Sequence, residues 1–186
     1  LELGGKSSLL VLADADLDLA VEVACGGGFF NAGQMCSATS RVLVADELAD
    51  EFLSRVKVRA EAIRVADPFD PNVEMGTLVN QAQYQRVLGH IDRGLSAGAK
   101  LVCGGNRPAD LPRGYFLQPT VFTDVPLDSA LWWEDIFAPV ICVRLFATEA
   151  EGIALANDSQ FGLVASVAAW LLSTDRKAIK WRTVGW

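Results

Sequence analysis

The sequence predicts an α/β domain built on a mostly parallel sheet, and three observations carry that prediction. Short runs rich in β-branched residues alternate with segments whose apolar residues recur at helical spacing. Clusters of Gly, Pro and Asp punctuate the alternation without forming a long linker, a repeat or a low-complexity tract. At 186 residues, 51% of them apolar and 21% charged, the chain can bury one core and not comfortably two. A single domain over residues 1–186 is the simplest reading.

The elements follow in order. "SSLLVL" reads as a strand, and "DADLDLAVEVACGGGFF" as a helix with Asp at its cap and in its first turn. "RVLVA" is a strand, followed by a helix from about Glu47 to Val65 with Leu48, Phe52 and Val56 on one face. "DPFDP" breaks that helix. A helix over Gln81–Ala97 places Tyr84, Val87, Leu88, Ile91 and Leu95 at helical spacing. "SAGAKLVCGG" then reads as a helix stop, a strand and a glycine turn. "GYFLQPTVF" is extended, with Pro119 suggesting an edge strand, and "PVICVRLF" is a buried strand. "TEAEGIALAND" opens with the Thr-x-x-Glu pattern of a capping box, and "GLVASVAAWLL" reads as a last strand. Strands separated by helices call for parallel pairing through right-handed crossovers.

Composition removes several function classes. A net charge of −7 argues against a nucleic-acid partner, which needs clustered Lys and Arg. The longest apolar run, Leu163 to Leu172, is about half of what a membrane-spanning helix requires. "LELGGK" lacks the basic n-region of a signal peptide, and the chain starts without Met, as expected for a piece of a longer protein. Cys25, Cys36, Cys103 and Cys142 show no CxxC spacing, and His90 is the single histidine, so a zinc site of the Cys/His type is not expected. Dispersed cysteines favour reduced thiols in a cytosol-like compartment, hence a cytoplasmic location.

Cys36 stands apart from the other cysteines. Cys25 lies in a helical run and Cys103 and Cys142 in strands, where a thiol is ordinary packing. Cys36 instead follows Asn31, Ala32 and Gly33, which resemble a helix end, and precedes Ser37, Thr39 and Ser40. That setting places its sulfur at a surface cleft, the access a nucleophilic thiol needs. His90 is a candidate base, although a lone His at helical spacing is more often surface or satisfied core. Glu2, between two leucines, reads by position alone as an outward-facing strand carboxylate. "LGGK" lacks the rest of a phosphate-loop pattern.

Taken together, "LELGGKS" and "FFNAGQMCSATSR", with Cys36 34 positions after Glu2, resemble the aldehyde dehydrogenase superfamily. Its pattern is Glu-Leu-Gly-Gly-Lys followed by Gly-Gln-x-Cys at this spacing. "WWEDIFAPV" resembles the family's Glu-Glu-x-Phe-Gly-Pro-Val segment, and "DPFDPNVEMGTLV", "GAKLVCGG", "GYFLQPTVF" and "ALANDSQFGL" resemble further family blocks in the family's order. "QMCSATSR", "GGNRP" and "LWWEDIFAPVICV" look most like the betaine-aldehyde and aminoaldehyde branch.

The resemblance implies a three-layer α/β/α catalytic domain, a small aldehyde as substrate, NAD or NADP as cofactor, and a homodimer or homotetramer in the full-length protein. It gives Cys36 the role of nucleophile and Glu2 that of general base. The thiolate attacks the aldehyde, hydride leaves to the nicotinamide, and water activated by Glu2 hydrolyses the thioester on Cys36. It further implies that Asp135 bonds the nicotinamide-side ribose and that Phe137 packs at that end of the cofactor. Gln83 and Arg86 would approach the adenosine side, and Phe30 would line the substrate tunnel. Asp135 and Ala138 depart from the family's Glu and Gly, and "GLVASVAAWLLSTD" is longer than the family spacing after Gly162. The nucleotide-binding half and the closing segment of the family pattern are not in the sequence. Two rival readings are a cofactor-independent thioesterase-like hydrolase using Cys36 and Glu2, and a non-catalytic protein of the same fold.

Overall fold

The computed structural model describes residues 4–169, and a six-stranded sheet organises them. The strands are β1 (Ser7–Val11), β2 (Thr39–Ala45), β3 (Lys100–Cys103), β4 (Thr120–Thr123), β5 (Val140–Phe146) and β6 (Ala165–Ala168). The helices are α1 (Leu17–Phe29), α2 (Ala49–Ala62), α3 (Gln81–Ser96), α4 (Ala130–Trp133) and α5 (Glu149–Asn157). In space the strands run β3-β4-β5-β2-β1-β6, and every neighbouring pair is parallel except β3–β4.

Side-chain alternation along β5 shows how the helices divide into two layers. Ile141 meets Gly28 of α1, whereas Cys142 reaches the Leu131 carbonyl of α4 and Phe146 meets Gly152 of α5. Residues of opposite parity face opposite sides of a strand, so α1 lies on one face and α4 and α5 on the other. α2 packs beside α1, and α3 packs on α4. The result is helix, sheet, helix, with Val42, Leu43, Val44, Phe122, Ile141 and Val143 fully buried between them.

Local chemistry explains the element boundaries. The Asp16 carboxylate accepts from Leu19 N at the start of α1, and the Asn80 side chain accepts from Gln83 N at the start of α3. At α5, Thr148 Oγ1 accepts from Glu151 N at 3.2 Å while Glu151 Oε2 accepts from Ala147 N at 2.9 Å. This is the reciprocal cap that Thr-x-x-Glu predicts, reaching one residue further back. α1 continues through Gly26–Gly28 despite their low helix propensity. A Cβ at Gly27 would sit 2.5 Å from Thr39 Oγ1, and one at Gly28 would sit 2.5 Å from Ile141 Cδ1. Those glycines let the helix lie directly on the sheet.

One irregularity sets the phase of β2. Ser7 pairs with Thr39 but Ser8 pairs with Arg41, so Ser40 is an extra residue. Thr39 therefore faces α1, while Arg41 turns to the opposite layer and is buried at 2% exposure. There its guanidinium donates to Leu155 O, Ala156 O and Asp158 O at 3.0–3.2 Å, to Lys6 O at 3.0 Å, and lies over the Trp132 ring. It occupies the carbonyl end of α5, where a cation complements the helix dipole.

Several expectations are corrected. β4 is an interior strand, because β3 adds antiparallel beyond it; Pro119 merely precedes its first residue. The helix expected to reach Val65 ends at Ala62. Leu95 is exposed, and α3 buries His90 and Gly94 instead, since Leu131 of α4 fills the space where a Gly94 side chain would be. α4 is a single capped turn with no helical periodicity for the sequence to display.

Candidate active site

Four segments converge because each immediately precedes a parallel strand. Gly4–Lys6 leads into β1, Asn31–Ala38 into β2, Glu134–Pro139 into β5, and Phe161–Val164 into β6. These strands are adjacent in the order β5-β2-β1-β6, so their N-terminal ends form one rim. Open α/β sheets ordinarily bind ligands at the carboxyl ends of their strands; here the chemistry-bearing residues gather at the other end.

Cys36 is exposed on this rim, in a loop held with strain. Asn31, Ala32 and Gly33 have successive φ values of 51°, 55° and 67°, and runs of left-handed non-glycine residues persist only where the surroundings enforce them. Gln34 supplies much of that enforcement. Its Nε2 donates to Asn31 O at 3.1 Å and Thr77 O at 3.2 Å, while its Oε1 accepts from Val79 N at 2.8 Å. Asn31 Nδ2 donates in return to Gln34 O at 3.1 Å. A Cβ at Gly33 would overlap the Ala138 carbonyl, and one at Gly5 would overlap the Cys36 carbonyl. The thiol loop is thus wedged between the two neighbouring segments.

The other three cysteines are buried and chemically muted. Burial pushes the Cys25 thiol up to about 12 and the Cys103 thiol up to about 11, and raises that of Cys142. Near neutral pH they stay protonated, which leaves Cys36 as the accessible thiol among the described residues.

Asp135 and Phe137 flank the loop on the β5 side, both half-buried. Asp135 Oδ2 accepts from Gly5 N at 3.2 Å, and Phe137 has a left-handed φ of 56°. Gln83 and Arg86, expected on the adenosine side of a cofactor, direct their polar groups at this segment's backbone. Gln83 Nε2 donates to Ile136 O at 3.0 Å and Phe137 O at 2.7 Å. Arg86 donates to Asp135 O at 3.3 Å, to Ile136 O at 2.8 Å and to Gln83 Oε1 at 3.0 Å. Together they brace the turn that carries Asp135 and Phe137. Phe30 is 66% exposed where α1 ends. Glu2 lies outside the described residues.

Lys6 and His90 occupy the interior behind the rim. Lys6 is 3% exposed, and burial lowers its pKa to about 8, with Cys142, Asp135 and Glu134 opposing the fall and Arg41 adding to it. His90 Nε2 lies 3.7 Å from Glu134 Oε2, yet burial outweighs that carboxylate and lowers the His90 pKa, favouring the neutral ring. Among the described residues no group of three or more His, Cys, Asp or Glu is placed to hold a metal, and no helix is long and apolar enough to cross a membrane. Sequence reasoning missed the supporting roles of Gln34 and Arg41, although both stand inside the stretch quoted around Cys36.

Comparison with known proteins decides the family. Residues 1–185 match the model of the aldehyde dehydrogenase family. The chain belongs to that family. Among curated aldehyde dehydrogenases, it is 43% identical over 185 residues to the chloroplastic betaine aldehyde dehydrogenase of Amaranthus hypochondriacus, covering 100% of this chain and 37% of that protein. It is 44% identical over 167 residues to a peroxisomal aminoaldehyde dehydrogenase of Pisum sativum, covering 90% of this chain and 33% of that protein. Among solved structures, betaine aldehyde dehydrogenase of Staphylococcus aureus in complex with NAD+ matches with a TM-score of 0.89 at 40% identity, over 91% of this chain and 34% of that one. An aldehyde dehydrogenase of Mycobacterium tuberculosis complexed with NAD+ gives 0.89 at 42% identity, over 92% and 35%. The chain therefore spans about a third of the length of the aldehyde dehydrogenases it matches.

Proposed function

We propose that the chain is the catalytic third of an NAD-dependent aldehyde dehydrogenase that converts an aldehyde to its carboxylic acid, with betaine aldehyde or an aminoaldehyde as the substrate class. The observation that carries this reading is the single exposed thiol, Cys36, held in a strained, cross-braced loop on the rim of a family-matched sheet. The branch is supported by the names of the relatives, betaine and aminoaldehyde dehydrogenases. Their chloroplastic and peroxisomal labels leave the cytosol-like expectation resting on the four unpaired thiols, which fit any reducing compartment.

The residues present fit the nicotinamide end of NAD. Half-buried Phe137 offers an apolar ring and Asp135 a carboxylate on the turn that precedes β5, which packs against the Cys36 loop through the Ala138 carbonyl at Gly33. Bound there, the cofactor would supply the hydride acceptor. Cys36 would add to the aldehyde carbon as thiolate and carry the acyl group as a thioester until water cleaves it. Glu2 would take the proton of that water. Gln83 and Arg86 would act through the backbone of residues 135–137.

The test is a steady-state panel of aldehydes with NAD and NADP, using protein that carries the rest of the family's length. Glu2→Gln should keep a pre-steady-state burst of NADH and slow the following turnover. Hydrolysis of esters without cofactor and without aldehyde oxidation would instead favour a thioesterase-like enzyme.

A further inference from the structure

We infer that Gln34 is a positioning residue for Cys36: its side-chain amide locks the thiol loop to the segment ahead of α3, and so fixes where the thiol stands relative to the turn that carries Asp135 and Phe137. The inference rests on the reading of Cys36 as the nucleophile.

The lock has two parts. Within the loop, Gln34 N and Gln34 Nε2 both donate to Asn31 O, at 3.2 and 3.1 Å, and Asn31 Nδ2 donates back to Gln34 O at 3.1 Å. Those three bonds close residues 31–34 on themselves while Asn31 and Ala32 hold left-handed φ values. Across the rim, Nε2 also donates to Thr77 O at 3.2 Å, and Oε1 accepts from Val79 N at 2.8 Å. These partners settle which way the amide points. Flipped, it would set its oxygen against two carbonyls and its N–H groups against another N–H.

Both ends of the lock are firm. Leu78, between the two partners, is 1% exposed, and its N–H donates to Tyr115 O at 3.0 Å. Asn80 then caps α3, whose Gln83 and Arg86 hold the carbonyls of residues 135–137. On the loop side, Cys36 lies two residues after Gln34, on a turn closed by Ala38 N donating to Met35 O at 3.2 Å. The Ala138 carbonyl, packed at Gly33, completes a circuit from the thiol loop to α3, to the turn before β5 and back. Gln34 joins the loop to the α3 arm of that circuit. Without it the loop relaxes out of its left-handed conformations and Cys36 moves with it. Attack on a carbonyl demands close, aligned atoms, and a displacement of about 1 Å can cost about a hundredfold in rate.

The experiment uses protein of full family length and compares Gln34→Ala and Gln34→Glu with wild type and with Cys36→Ala. Glutamate is close to glutamine in shape and still accepts from Val79 N, but ionised it has no hydrogen to donate to Asn31 O or Thr77 O. Amide hydrogen exchange at Val79 reads the lock without reference to catalysis. It should quicken about fivefold in Gln34→Ala, the equivalent of one neutral hydrogen bond, and stay slow in Gln34→Glu. Both variants should lower the single-turnover rate constant of NADH formation about tenfold to a hundredfold, with the KM for aldehyde and the affinity for NAD little changed. Unchanged Val79 exchange in Gln34→Ala overturns the lock. A wild-type rate constant in either Gln34 variant, beside an inactive Cys36→Ala, overturns the positioning role alone, and a lowered urea midpoint in that variant would mark Gln34 as purely structural. Wild-type protein that forms no NADH from any aldehyde, or Cys36→Ala that forms it at the wild-type rate, overturns the reading of Cys36 and the positioning role with it.

Discussion

Replacing Lys6 by methionine should stabilise the 186-residue chain at neutral pH, against the expectation that removing a motif residue does harm. The side chain is 3% exposed and its Nζ has no hydrogen-bond partner among the described residues. Methionine keeps the unbranched shape without the ammonium. Burial lowers the Lys6 pKa from 10.5 to about 8, which at 1.36 kcal/mol per pH unit is a penalty of about 3 kcal/mol on the charged form. At pH 7 the ammonium is charged in both folded and unfolded chains, so the folded state bears that whole penalty. Between about pH 8 and 10.5 the folded chain has released its proton while the unfolded chain retains it. The unfolded state then binds more protons, and wild-type stability gains with rising pH relative to a chain that cannot titrate there. Urea unfolding of both proteins from pH 7 to 10.5 should show the variant ahead by up to about 3 kcal/mol below pH 8, the gap closing towards pH 10.5. A variant less stable than wild type at pH 7, or a gap that ignores pH, would show that the ammonium is paired or hydrated in solution and refute the argument.

Three further outcomes are expected. Limited alkylation with iodoacetamide should label Cys36 first, given the raised pKa values and burial of Cys25, Cys103 and Cys142; peptide mapping that finds any of those three modified earlier would contradict the site. Gly28→Ala should destabilise the chain by about 1–3 kcal/mol, because the new methyl group must displace Ile141 and approaches the Thr39 carbonyl at 2.9 Å. An unchanged urea midpoint would mean that α1 can lift off the sheet at no cost. Arg41→Leu should cost at least about 3 kcal/mol by leaving the Lys6 carbonyl and the end of α5 without donors, and Arg41→Lys should recover little, since one ammonium cannot serve four carbonyls. Full rescue by Lys would reduce the role of Arg41 to charge alone.

The alternation of strands and helices was legible in the sequence because it depends on local periodicity. β1, β5, α1, α3 and α5 fall where their apolar patterns and caps place them. Cys36 was legible from its polar, glycine-bounded setting, which matches its exposure. What escaped depends on partners distant in the chain. Nothing within "GYFLQPTVF" shows that β3 will pair antiparallel outside it, so Pro119 misdirected the edge assignment. Gly94 outranks Leu95 on the buried face of α3 because Leu131, 37 positions away, fills the space. Gln83 and Arg86 sit on a polar helix face, and their engagement with residues 135–137 is visible only after folding.

The extra residue at Ser40 carries a consequence for anyone who edits this chain. A strand keeps count in twos, and Ser40 is the odd beat that brings Arg41 round to α5 after Thr39 has met α1. Deleting Ser40 would make Thr39 and Arg41 neighbours that still face opposite layers, with Ser7–Thr39 and Ser8–Arg41 in unbroken register. The bulge is therefore where β2 can lose a residue and keep its inside and outside. Deleting a residue within Arg41–Ala45 would instead turn every side chain beyond the cut to the other layer. Grafts of loops from other family members should therefore place their seams before Arg41 or beyond β2.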